Sequence, residues 1–209
     1  KQEGGTYAGP DIAFEALGKD WRKEAGYSFL YDVERDASPA GPFTTDTAAI
    51  DTRGRIAAGR QPHLRMHHLT AVQEVALASG DPPQNKSGAP RRYRYVMATR
   101  NGTDLESAFC TVLEPYDSAP FLSRVRLLTV VSATPDTNPV AIEVTTADGR
   151  VDTVIACETA GRVEVEGGIV LEGLYGFLAY RGGRLEHAKL MAGTRLTGPD
   201  CDLRCERSE

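Results

Sequence analysis

From His63 onward, apolar and polar residues alternate with period two, and turn residues interrupt the alternation at strand-length intervals. Only an extended backbone sends every second side chain to one face; a helix needs apolar residues three and four apart. About ten such stretches and no convincing amphipathic helix predict an all-β fold: an antiparallel two-sheet β-sandwich with an irregular N-terminal stretch. The lead-in, residues 1–62, is rich in Gly, Pro, Asp and Thr. It reads as a long loop with at most one strand, a helical turn around Ile12 to Leu17 and an aromatic cluster at Tyr27, Phe29 and Tyr31. With no internal repeat and no linker, residues 63–209 form the sandwich and residues 1–62 pack on it as one domain.

Turn chemistry places the strands more closely. Val72 to Ala78 ends at Ser79-Gly80-Asp81-Pro82-Pro83, where two prolines remove backbone donors, and a loop runs on to Pro90. Asn101-Gly102 tolerates the positive φ of a tight turn, so Tyr93 to Arg100 and Leu105 to Leu113 are expected to pair as a hairpin. On its second strand Leu105, Ser107, Phe109, Thr111 and Leu113 would face the core, with Glu106, Ala108, Cys110, Val112 and Glu114 outward. Ser123 to Val131 and Val140 to Thr145 follow. Two further hairpins turn at Ala147-Asp148-Gly149-Arg150, into Val151 to Cys157, and at Arg181-Gly182-Gly183-Arg184, between Tyr175 to Tyr180 and Leu185 to Met191.

The 209 residues are enough to bury a sizeable core, and 41% hydrophobic with 25% charged residues excludes wholesale disorder, collagen and coiled coil. No apolar run approaches the roughly 18 residues of a membrane helix, so no membrane partner is expected. A net charge of -5 and a pI near 5.5 are the wrong sign for nucleic acid, and a polyanion would need a local basic patch. Four scattered cysteines are too few for a disulfide scaffold, and the three residues between Cys201 and Cys205 do not match a zinc knuckle; buried free thiols are the simpler reading. Asn85-Lys86-Ser87 and Asn101-Gly102-Thr103 fit the glycosylation acceptor pattern, which arises often by chance. Starting at Lys1 instead of Met and closing within a strand-like segment, the chain reads as part of a larger protein.

Few residues suggest chemistry. His63 and His67 share one strand face while His68 takes the other, so the three do not converge on one ion, and no metal or cofactor is assigned. There is no Gly-x-Ser-x-Gly elbow for a serine hydrolase, and the glycine pairs Gly167-Gly168 and Gly182-Gly183 are hairpin turns without a following helix, not phosphate loops. Glu106 and Glu114, roughly 26 Å apart at about 3.3 Å per residue, are too distant for a glycosidase pair and read as solvated acids. Arginine supplies the stronger signal. Arg91, Arg92, Arg94 and Arg100 cluster on one strand, with Arg92, Arg94 and Arg100 opposite Tyr93 and Tyr95. Guanidinium forks suit carboxylate and sulfate, and tyrosine faces stack on sugar rings. The plainer alternative puts the tyrosines in the core and the arginines on a solvated face.

Several stretches in order resemble the C-terminal β-sandwich region of heparinase II/III-like polysaccharide lyases: Gly26-Tyr27-Ser28-Phe29-Leu30-Tyr31-Asp32-Val33, Leu64-Arg65-Met66-His67-His68-Leu69, and Glu74-Val75 leading to Gly80-Asp81-Pro82-Pro83. Tyr95-Val96, Arg100-Asn101-Gly102, Leu105-Glu106-Ser107-Ala108-Phe109 and Val112-Leu113-Glu114-Pro115-Tyr116 through Pro120-Phe121 continue the resemblance. It implies a parent with an N-terminal α/α toroid, exported to the periplasm or secreted, that cleaves acidic, uronate-containing polysaccharides by β-elimination. The family's catalytic motifs do not occur in this chain, so no catalytic residue carries over; His67 and His68 fall in a strand motif. The expectation is a non-catalytic module, with Arg92, Arg94 and Arg100 on the substrate side. An autonomous carbohydrate-binding module and a His-based metalloenzyme are the alternatives.

Overall fold

A computed structural model describes residues 2–14, 27–51, 53–81 and 90–205. It is an all-β, antiparallel, sandwich-like fold, as the alternation predicts. The chain divides into two compact units, Lys1–Ser118 and Ala119–Glu209.

The first unit holds two sheets. One takes the order β1-β2-β5-β6, from Gln2–Glu3 (β1), Tyr31–Asp36 (β2), Glu74–Gly80 (β5) and Tyr93–Thr99 (β6). Its inner face is built on small residues, Ala76 and Ala78, which let Leu30 and Val33 close down over β5; Tyr7, Phe29 and Met97 complete the cluster. The other sheet has the order β3-β4-β7, from Phe43–Ala48 (β3), Pro62–His68 (β4) and Thr111–Asp117 (β7).

Three expectations are corrected. Residues 1–62 supply three strands, not one at most: β1 and β2 pair into the first sheet, and the threonine-rich β3 pairs with β4. Asn101-Gly102 does not turn a hairpin. β6 pairs with β5 and β7 pairs with β4, and residues 100–110 form an irregular connection between two sheets. Long-range pairing with β4 outweighs the local turn signal, and it reverses the faces of β7. Leu113 is 59% exposed and Glu114 is fully buried, the opposite of the reading from alternation. Of the helical turn expected at Ile12 to Leu17, residues 12–14 are not helical and residues 15–17 lie outside the described residues, as do Asn85 and most of the loop from Pro82 to Pro90.

The second unit is one seven-stranded sheet, in the order β14-β13-β12-β11-β10-β8, with β9 on β11. Its members are Leu122–Leu127 (β8), Val130–Ala133 (β9), Val140–Thr146 (β10), Arg150–Val165 (β11), Ile169–Arg181 (β12), Arg184–Gly198 (β13) and Cys201–Arg204 (β14). The hairpins at Gly149 and at Gly182-Gly183 form as expected, with the positive φ their glycines permit.

This sheet is doubled over on itself. Val170 at the start of β12 pairs with Thr197 near the end of β13, whereas Tyr180 lies ten residues further along β12, about 33 Å away in a flat sheet. Yet the Tyr180 hydroxyl donates to the carbonyl of Pro199, just past β13, at 2.7 Å. The fold line is a row of glycines: Gly161 in β11 is in register with Gly173 in β12, and Gly173 with Gly193 in β13. Register shifts adjoin the row on both ladders. A Cβ on Gly173 would sit 2.6 Å from Gly193 Cα, and one on Gly193 would sit 2.5 Å from the Glu172 carbonyl oxygen, so only glycine lets the backbones approach. The doubling encloses a core of Leu128, Ile155, Val163, Val165, Leu171, Leu178 and Leu196.

Candidate functional site

A cluster of ionisable side chains lies on one face of β3-β4-β7. The ladder sets Asp46 of β3 beside Arg65 of β4, Arg65 beside Glu114 of β7, and His63 beside Tyr116. Antiparallel partners share a face, so alternation gathers His63, Arg65 and His67 with Asp46, Glu114 and Tyr116. Asp46 is the acceptor at the centre. His63 Nδ1–H donates to its Oδ1 at 2.8 Å, while Arg65 Nε–H at 2.8 Å and the Tyr116 hydroxyl at 2.7 Å donate to its Oδ2. The His63 and Tyr116 rings stack at 4.9 Å, and the Arg65 guanidinium lies 5.4 Å from the Tyr116 ring centre. These donors, Tyr116 foremost, hold the Asp46 carboxyl down at about 2, and the same bond pushes the Tyr116 phenol up.

Along the same face, His67 Nε2–H donates to Glu114 Oε2 at 2.8 Å, and the Glu114 side chain is wholly buried. His68 points the other way, as alternation predicts, between Thr45 and Thr111, with its ring stacked on Phe43 at 4.3 Å. The three histidines thus go to three separate partners. Among the described residues no group of three or more His, Cys, Asp or Glu could hold a metal ion. All four cysteines are free thiols; Cys205 is exposed and the others are half-buried.

The three arginines singled out from sequence are placed on or beside β6, at the edge of its sheet. Arg92 is engaged with Asp32 at 3.3 Å and lies over the Tyr31 ring, whose hydroxyl accepts from its Nε–H at 3.1 Å. Arg94 pairs with Glu34 and donates to the Asp32 carbonyl and the Ser79 hydroxyl. Arg100 is exposed beyond the strand end and makes no hydrogen bond or ion pair with the described residues. Tyr93 and Tyr95 are 42% and 41% exposed and so do not form the core.

Sequence reasoning missed Asp46, Glu114 and Tyr116 as cluster members, because only the pairing of β3 and β7 with β4 brings them to His63, Arg65 and His67. In the second unit a cavity of about 340 Å3 opens between Leu128, Val151, Ile169 and Tyr180. In its wall Arg126 is clamped by Glu143 and Glu166, which hold its guanidinium firmly charged.

No family model matches the chain, and neither the curated proteins nor the solved structures contain a significant match to it.

Proposed function

We propose that this chain is a non-catalytic β-module of an exported heparinase II/III-like polysaccharide lyase, a parent enzyme that cleaves acidic, uronate-containing polysaccharides by β-elimination. The observation that carries the reading is the mutual engagement of the groups best suited to acid–base work. β-Elimination needs a base for the proton next to the uronate carboxyl, a cation for that carboxylate and an acid for the leaving oxygen. His63, Arg65 and Tyr116 are the right residue types, but each is hydrogen-bonded to Asp46, and His67 to Glu114. Such a network ties three strands together, which is the work of a structural element. The ordered resemblance from Gly26 to Val131 supplies the class of parent and substrate.

The test is absorbance of the unsaturated uronate product when the chain is incubated with heparin, heparan sulfate, alginate and ulvan, beside a polypeptide joining it to a catalytic toroid. Product from the joined polypeptide alone is the expected result. Product from the chain alone would place an active site within it, and His63, Arg65 and Tyr116 would be the first residues to replace.

A second reading, an autonomous carbohydrate-binding module, is favoured by one observation: Tyr93 and Tyr95 are both exposed on one strand. Binding of polysaccharide by the chain, with no elimination by either polypeptide, would select it.

A further inference from the structure

We propose that β6 is itself the glycan contact: Tyr93 and Tyr95 form a two-ring platform for the pyranose rings of an acidic polysaccharide, and Arg91 meets its carboxylate or sulfate. The class of polymer rests on the reading above; the platform rests on the geometry of the strand.

Tyr93 and Tyr95 are two residues apart in β6, so their side chains leave the same face about 6.6 Å from each other, a spacing comparable to one sugar unit. β6 pairs with β5 on one side and is the last strand of its sheet. Gly80 of β5 lies directly across from Tyr93, and its missing side chain makes room for Tyr95. A Cβ at Gly80 would meet Tyr95 Cε2 at 2.9 Å and Leu30 Cδ2 at 2.9 Å. The Tyr95 ring therefore leans across bare glycine backbone, along the sheet and on the side where Leu30 also packs. A supported ring that keeps 41% of its surface is a stacking platform rather than a core residue.

The polar groups agree. Neither the Tyr93 nor the Tyr95 hydroxyl is hydrogen-bonded to a described residue. Arg91, exposed and two residues before Tyr93, likewise has no partner among the described residues, unlike Arg92 and Arg94. Of the acids nearby, Asp32 is paired with Arg92 and Glu34 with Arg94, while Asp81 accepts a hydrogen bond from the neutral Tyr31 hydroxyl. In a chain whose net charge is -5, Arg91 and Arg100 at the two ends of this strand are exposed cations with no ion-pair partner among the described residues. Exposed rings two residues along the chain from an exposed guanidinium suit a polymer with an apolar sugar face and an anionic substituent.

Calorimetric titration of the chain with heparin and alginate oligosaccharides, and with a neutral cellulose oligosaccharide, tests this. Tyr93→Ala and Tyr95→Ala are each expected to weaken binding of the anionic oligosaccharides about tenfold, and Tyr95→Phe to stay within about threefold of the parental chain. Arg91→Ala should weaken binding and reduce its salt dependence, while Arg92→Ala, on a guanidinium already paired, should change it less than twofold. If Tyr95→Ala fails to fold, Tyr95→Leu keeps Gly80 covered without a flat ring and should lose affinity as the alanine would. Parental affinity in the Tyr93→Ala/Tyr95→Leu double variant, equal affinity for the neutral oligosaccharide, or no binding by the parental chain overturns the proposal. Retained binding when a joined polypeptide eliminates nothing removes the lyase assignment and leaves the platform. Elimination by that polypeptide with unaltered binding in the tyrosine variants removes the platform alone.

Discussion

Replacing Gly173 by alanine tests the doubled sheet directly. The added Cβ would stand 2.6 Å from Gly193 Cα and 3.1 Å from the Ala192 carbonyl oxygen, both backbone atoms of the neighbouring strand, which cannot rotate away. Restoring ordinary contact means parting β12 from β13 by about 1 Å where paired strands lie about 4.8 Å apart. That stretches the ladder bonds on either side of the row, each worth about 1 kcal/mol, and adds the strain of overpacking. A loss of about 2–3 kcal/mol follows. For a unit spanning Ala119–Glu209 this lowers the thermal midpoint by roughly 10–20 °C. Gly176→Ala is the control on the same strand. Its Cβ would meet Leu196 Cδ1 at 2.9 Å, the far end of a flexible side chain that can move, so about 1 kcal/mol is expected. Scanning calorimetry resolves the transition, and far-ultraviolet circular dichroism confirms that strand content is kept. Equal costs for the two variants, or a Gly173→Ala cost below about 1 kcal/mol, would refute the glycine row as the fold line.

Other predictions address the first unit and the thiols. His67→Ala removes the 2.8 Å donor to the buried Glu114 carboxyl and should destabilise by about 2–4 kcal/mol in urea melts at neutral pH, with His67→Gln recovering part of the loss. Burial, with the neighbouring His67 second, holds the His68 imidazole below its usual value, so the folded state binds fewer protons than the unfolded one. Stability from this residue is complete above the unfolded pKa of about 6.5 and falls away as the pH drops toward the lower folded value; His68→Gln should flatten the slope of midpoint against pH between 7 and 5. Iodoacetamide should label exposed Cys205 first, since burial pushes the Cys110 and Cys157 thiols up and leaves them little thiolate; mass mapping during a time course would show the order.

The parts of the fold legible in the sequence are those set by neighbours along the chain. The hairpins at Gly149 and at Gly182-Gly183 join strands adjacent in sequence, and turn residues and alternation agree there. The pairing of β3 with β4 and of β7 with β4 has no such signature. Phe43-Thr44-Thr45-Asp46-Thr47-Ala48 is too polar to read as a strand until His63, Arg65 and His67 lie beside it. The glycine row was equally silent, because Gly161, Gly173 and Gly193 acquire meaning only when the register aligns them across three strands.

The misreading of β7 shows what alternation omits. A period of two says that Leu113 and Glu114 take opposite faces, but not which face is covered. Hydrophobicity alone buries Leu113. The structure buries Glu114, because the adjoining strand offers His67 as a donor and Arg65 as its cross-strand neighbour, and a partnered carboxylate can be taken out of water where a lone one cannot. The same reasoning separates the arginines beside β6. Arg91, Arg92 and Arg94 look alike in sequence, yet Asp32 and Glu34 on β2 neutralise two of them and leave the third to solvent. Which cation can reach an anionic polymer is therefore decided by the strand two places away in the sheet, and the alanine variants at Arg91 and Arg92 separate on that difference alone.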